Sequence, residues 1–185
     1  MKARTLILIL MSLVMLSSLS GCGYNKTIAL EEDVSAQWSQ IEVQLKRRYD
    51  LIPNLVETVK GYAEHEKTLL TDIANARKAY FSAQGRNAKV AASNKLEGLL
   101  SRLLVLKETY PNLKANQSFL KLQDSIEGTE NRIAVARKRY NDAVKALNTY
   151  IRGIPGQWWA SMTGVEKAVY FEVPKEETAT PKVEF

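Results

Sequence analysis

Few residues in this chain are of types that do chemistry: there is one cysteine, Cys22, and one histidine, His65. A structural zinc site takes four Cys or His ligands, and a catalytic one usually takes three protein ligands. A di-iron bundle needs two Glu-x-x-His pairs, and here the residue three before His65 is Tyr62. No metal site and no cofactor are expected. A serine nucleophile would have to recruit the one imidazole, and Gly-rich loops of the kind that cradle phosphate do not occur. Glu57 with Glu64, or Glu127 with Glu130, could be read as the carboxylate pair of a glycosidase. On a helix such pairs ordinarily face solvent or neighbouring Lys and Arg. No catalytic residue emerges, and a non-enzyme is expected.

Cys22 has a different context. Lys2 and Arg4 precede the apolar run Leu6–Leu19, 14 residues long, and Ser20, Gly21 and Cys22 are small. A positive start, a short apolar middle and a small-residue exit describe a secretory signal peptide. As a helix at ~1.5 Å per residue the run is about 21 Å long, short of the ~30 Å hydrocarbon core. The exit "LSGC", Leu19 to Cys22, resembles the lipobox of bacterial lipoproteins. Cleavage between Gly21 and Cys22 would leave the thiol carrying a diacylglyceryl thioether and the new amine an acyl chain such as palmitate. Two or more chains anchor stably where one binds marginally. The expected partner of Cys22 is therefore membrane lipid. Gly23 stands where an Asp would retain a lipoprotein at the inner membrane, so outer-membrane placement facing the periplasm is expected in a host with two membranes. The alternative is an inner-membrane protein with an uncleaved N-terminal span.

The remaining chain must fold as something that can be tethered. Its 185 residues suit one domain, and 5 Pro and 9 Gly among many Ala, Leu, Lys and Glu favour helix. The net charge of +6 falls to about +4 without Lys2 and Arg4, too little for the dense basic stripe of a nucleic-acid binder. Arg86, Lys89, Lys138 and Arg139 could still attract wall polymer or anionic lipid.

Periodicity carries the fold. Alternating steps of four and three from Val34 reach Trp38, Ile41, Leu45, Arg48, Ile52, Leu55, Val59, Tyr62, Glu66, Leu69, Ile73, Ala76 and Tyr80, mostly apolar, as on a helix packed against others. The phase survives Pro53, which predicts a bend in one continuous helix, ~80 Å long over some 55 residues. A short break with a fresh start after Asp50 is the alternative. A second seam runs Ala92, Leu96, Leu99, Leu103, Leu106 and Tyr110. A third runs from Phe119 through Ile126, Ile133 and Tyr140 to Tyr150. Short linkers at 83–87 and 110–116 predict antiparallel neighbours. The expected fold is all-α: an antiparallel up-and-down bundle of three long helices, the first bent near Pro53 to give four segments, with an irregular aromatic C-terminal segment. The expected divisions are a signal peptide at 1–21, a lipidated tether at 22–27, a coiled-coil-like bundle at 28–153, the aromatic segment at 154–173 and a mobile tail at 174–185.

Arg48 falls where an apolar residue is expected, and a buried guanidinium must find a carboxylate. Glu130 or Glu66 is the expected partner, in an inter-helix network that fixes register. Arg47, Asp50 and Asn54 at the bend, with Trp158 and Trp159, form a candidate partner surface.

Several blocks resemble the LemA family: "WSQIEVQLKRRYDLIPNLVETVKGYAEHE" (Trp38 to Glu66), "YPNLKANQSFLKLQ" (Tyr110 to Gln123) and "TENRIAVARKRYNDAV" (Thr129 to Val144). "YFE" (Tyr170 to Glu172) and the closing "VEF" resemble the family's C-terminal marks. The resemblance implies an antiparallel helical bundle outside a bacterial membrane, tethered at its N-terminus. Many members have a plain N-terminal transmembrane segment where this chain has a lipobox. Here "GIP" (Gly153 to Pro155) replaces the usual Phe before proline, and the "WW" pair is unusual. Genes of the family often neighbour those of membrane metalloproteases or TPM-domain proteins, which implies a membrane protease or TPM-domain partner. The resulting expectation is a non-catalytic, lipid-anchored scaffold or adaptor of the cell envelope.

Overall fold

The computed structural model describes the backbone of residues 2–172 and the side chains of residues 23–172. Within these bounds the chain is helical: α1 (Lys2–Tyr49), α2 (Ile52–Lys60), a 3₁₀ turn (Glu64–Glu66), α3 (Lys67–Ser82), α4 (Arg86–Thr109), α5 (Pro111–Lys114), α6 (Gln117–Arg152) and α7 (Gly156–Thr163). Of Gly21 and Cys22 only the backbone, inside α1, is described. The expected tail and its "VEF" lie outside the described residues. Among the residues whose side chains are described, no helix is long and apolar enough to cross a membrane.

The long bent first helix is not what forms. The regular helix ends at Asp50, whose N–H still bonds the Lys46 carbonyl at 2.9 Å; the Leu51 N–H turns to the Arg48 carbonyl at 3.2 Å, and α2 restarts with Pro53 in its first turn, where a missing N–H costs nothing. A larger change comes at Gly61–Glu66, where the chain turns back. On one straight helix at ~1.5 Å per residue, Tyr49 and Tyr80 would stand roughly 46 Å apart. Their rings instead meet edge-on at 4.8 Å, and Arg77 Nε donates to the Tyr49 carbonyl at 2.8 Å. The two seam positions inside the turn betray it: Tyr62 is 41% exposed and Glu66 is only half-buried, while Ala63 between them is fully buried. The heptad phase before and after the turn coincides, so periodicity alone could not register the reversal.

Within the described residues the chain forms two compact units, one of residues 2–40 with Lys138–Tyr170 and the other of Ile41–Arg137 with Phe171 and Glu172. In the larger unit, α3 and α4 pack as a hairpin across Ala83–Gly85. Glu42 pairs with Lys89, and Arg48 with Glu97, so α1 and α4 run the same way. Lys107 bonds Gln123 at 3.3 Å near the α4–α6 connection, so those two helices oppose. The core here is Ile41, Leu45, Ile52, Leu55, Ile73, Leu96, Leu100, Leu103, Phe119, Ile126 and Ile133. The second seam is therefore rotated from its expected line. Leu99 and Leu106 are half-buried, and Ser93, Glu97 and Leu100 turn inward.

In the smaller unit, α1 and α6 oppose each other. Trp38 meets the Tyr140 ring edge-on at 5.4 Å, and the Tyr150 hydroxyl donates to the Gly23 carbonyl at 3.1 Å. Two glycines there are set by close approach. A Cβ on Gly156 would strike the Tyr150 carbonyl, and one on Gly23 would overlap the Trp159 indole. After α7 the described chain, to residue 172, has no regular secondary structure. The Asn148 side chain holds both backbone groups of Ala168, donating to its carbonyl at 2.8 Å and accepting from its N–H at 2.9 Å. The Tyr140 hydroxyl donates to the Val169 carbonyl at 2.8 Å.

Candidate functional site

The polar groups of the larger unit converge on Arg48. It sits on the buried face of α1, 6% exposed, because the seam that carries Leu45 and Ile52 inward carries it too. One terminal nitrogen meets Glu97 on α4 at 2.8 Å, and the other meets Glu130 on α6. The neighbouring Tyr49 is fully buried, and its hydroxyl donates to Glu97 Oε1 at 3.0 Å. With that proton committed, the 2.8 Å contact to Ser93 must run from the serine hydroxyl to the Tyr49 oxygen. Arg137 adds a second guanidinium whose charge acts on Glu97. It lies 4.6 Å over the ring of Phe171, within cation–π range.

Burial pushes the Glu97 carboxyl above the usual range, and Arg48, the Tyr49 hydroxyl and Arg137 pull it back. Burial and the Glu97 charge together push the Tyr49 phenol well up. Burial, with Glu42 nearby, does the same to Tyr80. Such a cluster holds protons and charges in fixed places. It can bind three helices to one another: the terminal nitrogens of Arg48, the two carboxylates and the Tyr49 and Ser93 hydroxyls are occupied by each other, while the buried Nε atoms of Arg48 and Arg137 have no hydrogen-bond partner among the described residues.

The structure brings Arg48 and Glu130 together. Glu66 lies in the 3₁₀ turn, and among the described residues the carboxylates on Arg48 are those of Glu97 and Glu130. Sequence reasoning missed Glu97, Ser93 and the role of Tyr49. The one available signal was that Ser93, Leu96, Leu100 and Leu103 keep the same spacing as the seam through Leu99.

Arg47 and Asn54 are exposed on either side of the break, and Asp50 is held by Lys46 at 2.7 Å and Arg77 at 3.5 Å. Beyond them a groove of about 610 Å³ between α2 and α3 has Val56, Ala63, Leu70 and Ala74 in its lining and Glu57, Lys60 and Lys67 among its charged residues. Trp158 and Trp159 part company: Trp158 is 65% exposed, whereas Trp159 is half-buried against Gly23. His65 is exposed in the 3₁₀ turn, and no group of three His, Cys, Asp or Glu among the described residues could hold a metal ion.

A model of the LemA family matches residues 37–185. The magnetosome proteins MamQ 2 and MamQ 1 of Paramagnetospirillum magneticum are each 26% identical over 175 residues, covering 80% of this chain and 64% of theirs. MamQ of Magnetospirillum gryphiswaldense is 26% identical over 189 residues, 86% of this chain and 70% of its own. The chain thus spans just under two thirds of the first two relatives. Because the match takes in the end of α1, the Arg48 cluster and every later element, the chain belongs to the LemA family.

Proposed function

We propose that this protein is a membrane-anchored, non-catalytic scaffold or adaptor of the bacterial cell envelope, an up-and-down helical bundle lipidated at Cys22. One observation carries the reading. The ionisable residues that could converge on a substrate, Arg48, Glu97, Glu130 and Tyr49, are tied to one another across helices. Groups used in this way set register, and they hold the helices of the larger unit in fixed relation, the requirement for an adaptor. Relatives named as magnetosome proteins fit a chain that serves an assembly, and a membrane protease or TPM-domain protein is the partner class proposed. Binding to wall polymer is the weaker alternative, since Lys89 is paired with Glu42 and Lys138 lies 3.4 Å from Asp142.

Two measurements test this. Metabolic labelling with a fatty acid should mark the full chain and fail on Cys22→Ser; equal labelling of both removes the lipid anchor. In-cell crosslinking from positions 47 and 54, read by mass spectrometry, should recover an envelope protein. Recovery of lipid and wall material alone defeats the adaptor role.

A further inference from the structure

The corner between α6 and α7 leaves an apolar face that nothing in the smaller unit covers. Ile154 is 76% exposed, Trp158 65% and Met162 73%. Trp158 and Met162 are four residues apart on α7 and so share one side of it, and Ile154 is four residues ahead. Residues 153–165 carry no charge at all, although charged residues make up 25% of the chain. Arg152 and Glu166 bound the uncharged stretch.

The position of this face identifies what meets it. Trp159, on the other side of α7, fills the space beside Gly23, and the Tyr150 hydroxyl bonds the Gly23 carbonyl. Gly23 is one residue past Cys22, whose acyl chains hold the chain to the bilayer in the reading proposed above. One residue of helix rises only ~1.5 Å, within the ~5–10 Å by which an interfacial helix sinks into the headgroup region. Lys26 is exposed near the same level, its ammonium 5.0 Å from the Tyr150 ring centroid. With Arg152 it supplies cations suited to anionic headgroups, on stems long enough to reach them. An exposed Trp and an uncharged helix with basic groups such as Lys26 and Arg152 beside its start are the pattern of a protein segment lying in a bilayer surface.

We infer that α7 is a membrane-contacting helix: Ile154, Trp158 and Met162 insert into the headgroup region of the bilayer that holds the N-terminus. The inference rests on the proposed lipid anchor at Cys22 and adds a second attachment, which fixes the orientation of the unit on the membrane. Gly23 also gains a steric reason for its lack of a side chain, separate from any sorting role.

The full chain is reconstituted into phosphatidylethanolamine–phosphatidylglycerol vesicles containing a lipid brominated on its acyl chains, and tryptophan emission is compared with that in unbrominated vesicles. The expected result is quenching by the brominated lipid, with most of the quenchable emission lost in Trp158→Phe and quenching reduced in Met162→Gln. Buried Trp38 stays unquenched and reports that each variant is folded. If the parent chain floats with the vesicles while Trp158 is quenched by acrylamide and not by bromine, the face points to water and the inference is overturned. Protection from both quenchers overturns it as well, because a protein then covers the face. If the chain does not float at all, the anchor itself is refuted, a separate and distinguishable failure.

Discussion

Replacing Arg48 by Met tests the central cluster most directly. The Arg48 side chain is 8% exposed and that of Glu97 11%, so the substitution strands a carboxylate that water reaches poorly. Breaking a buried pair from one side costs about 3–5 kcal/mol, whereas replacing both partners by apolar residues is often close to neutral. Arg48→Met should therefore lose about 3–5 kcal/mol at pH 7.5, and Arg48→Met/Glu97→Leu should recover most of it. Glu130 is 51% exposed, so Glu130→Ala should cost about 1 kcal/mol or less. The pH dependence has a definite sign. Burial raises the folded-state pKa of Glu97 and Arg48 lowers it, so without Arg48 it climbs further. A raised carboxyl stabilises the fold below its unfolded pKa and loses that contribution as pH rises through the folded one. The penalty of Arg48→Met must therefore shrink as pH falls from 7.5 toward 5. Urea denaturation of the full chain in detergent, followed by far-UV circular dichroism, gives each free energy. Additivity of the two single variants within about 0.5 kcal/mol would refute the pairing, as would a penalty that grows on acidification.

Tyr49→Phe should cost about 1–3 kcal/mol by the same assay, since it leaves the buried Ser93 and Glu97 each short of a partner. Asn148→Leu removes both bonds to Ala168, and amide exchange over residues 165–170 should accelerate at least tenfold, about 1.4 kcal/mol of lost protection, with exchange in α3 and α4 unchanged. Gly156→Ala forces a methyl against the Tyr150 carbonyl, and a loss of about 1–3 kcal/mol is expected together with a changed near-UV tryptophan signal. Tyr49 and Tyr80 should stay protonated when the exposed tyrosines ionise, because burial raises both phenols; their tyrosinate absorbance should appear only with alkaline unfolding.

The sequence alone determined that the chain is helical and which residues line α6. Phe119, Ile126, Ile133, Ala136, Tyr140, Ala143 and Leu147 are all buried along one stripe, as their spacing requires. It also marked Arg48 as a charge in an apolar seam, because an interruption in a regular pattern is visible without coordinates. Three things waited for the tertiary structure. The reversal at Gly61–Glu66 was hidden because two separate helices kept the same heptad phase, and periodicity records phase but not direction. The inward turn of Ser93 and Glu97 was hidden because polar residues read as surface until Arg48 and Tyr49 arrive beside them. The parting of Trp158 from Trp159 was hidden because adjacent residues on a helix point about 100° apart, and only the helix packed on Gly23 settles which of them faces inward. Local order follows from the types and spacing of neighbouring residues, whereas contacts between residues far apart in sequence depend on where the chain turns.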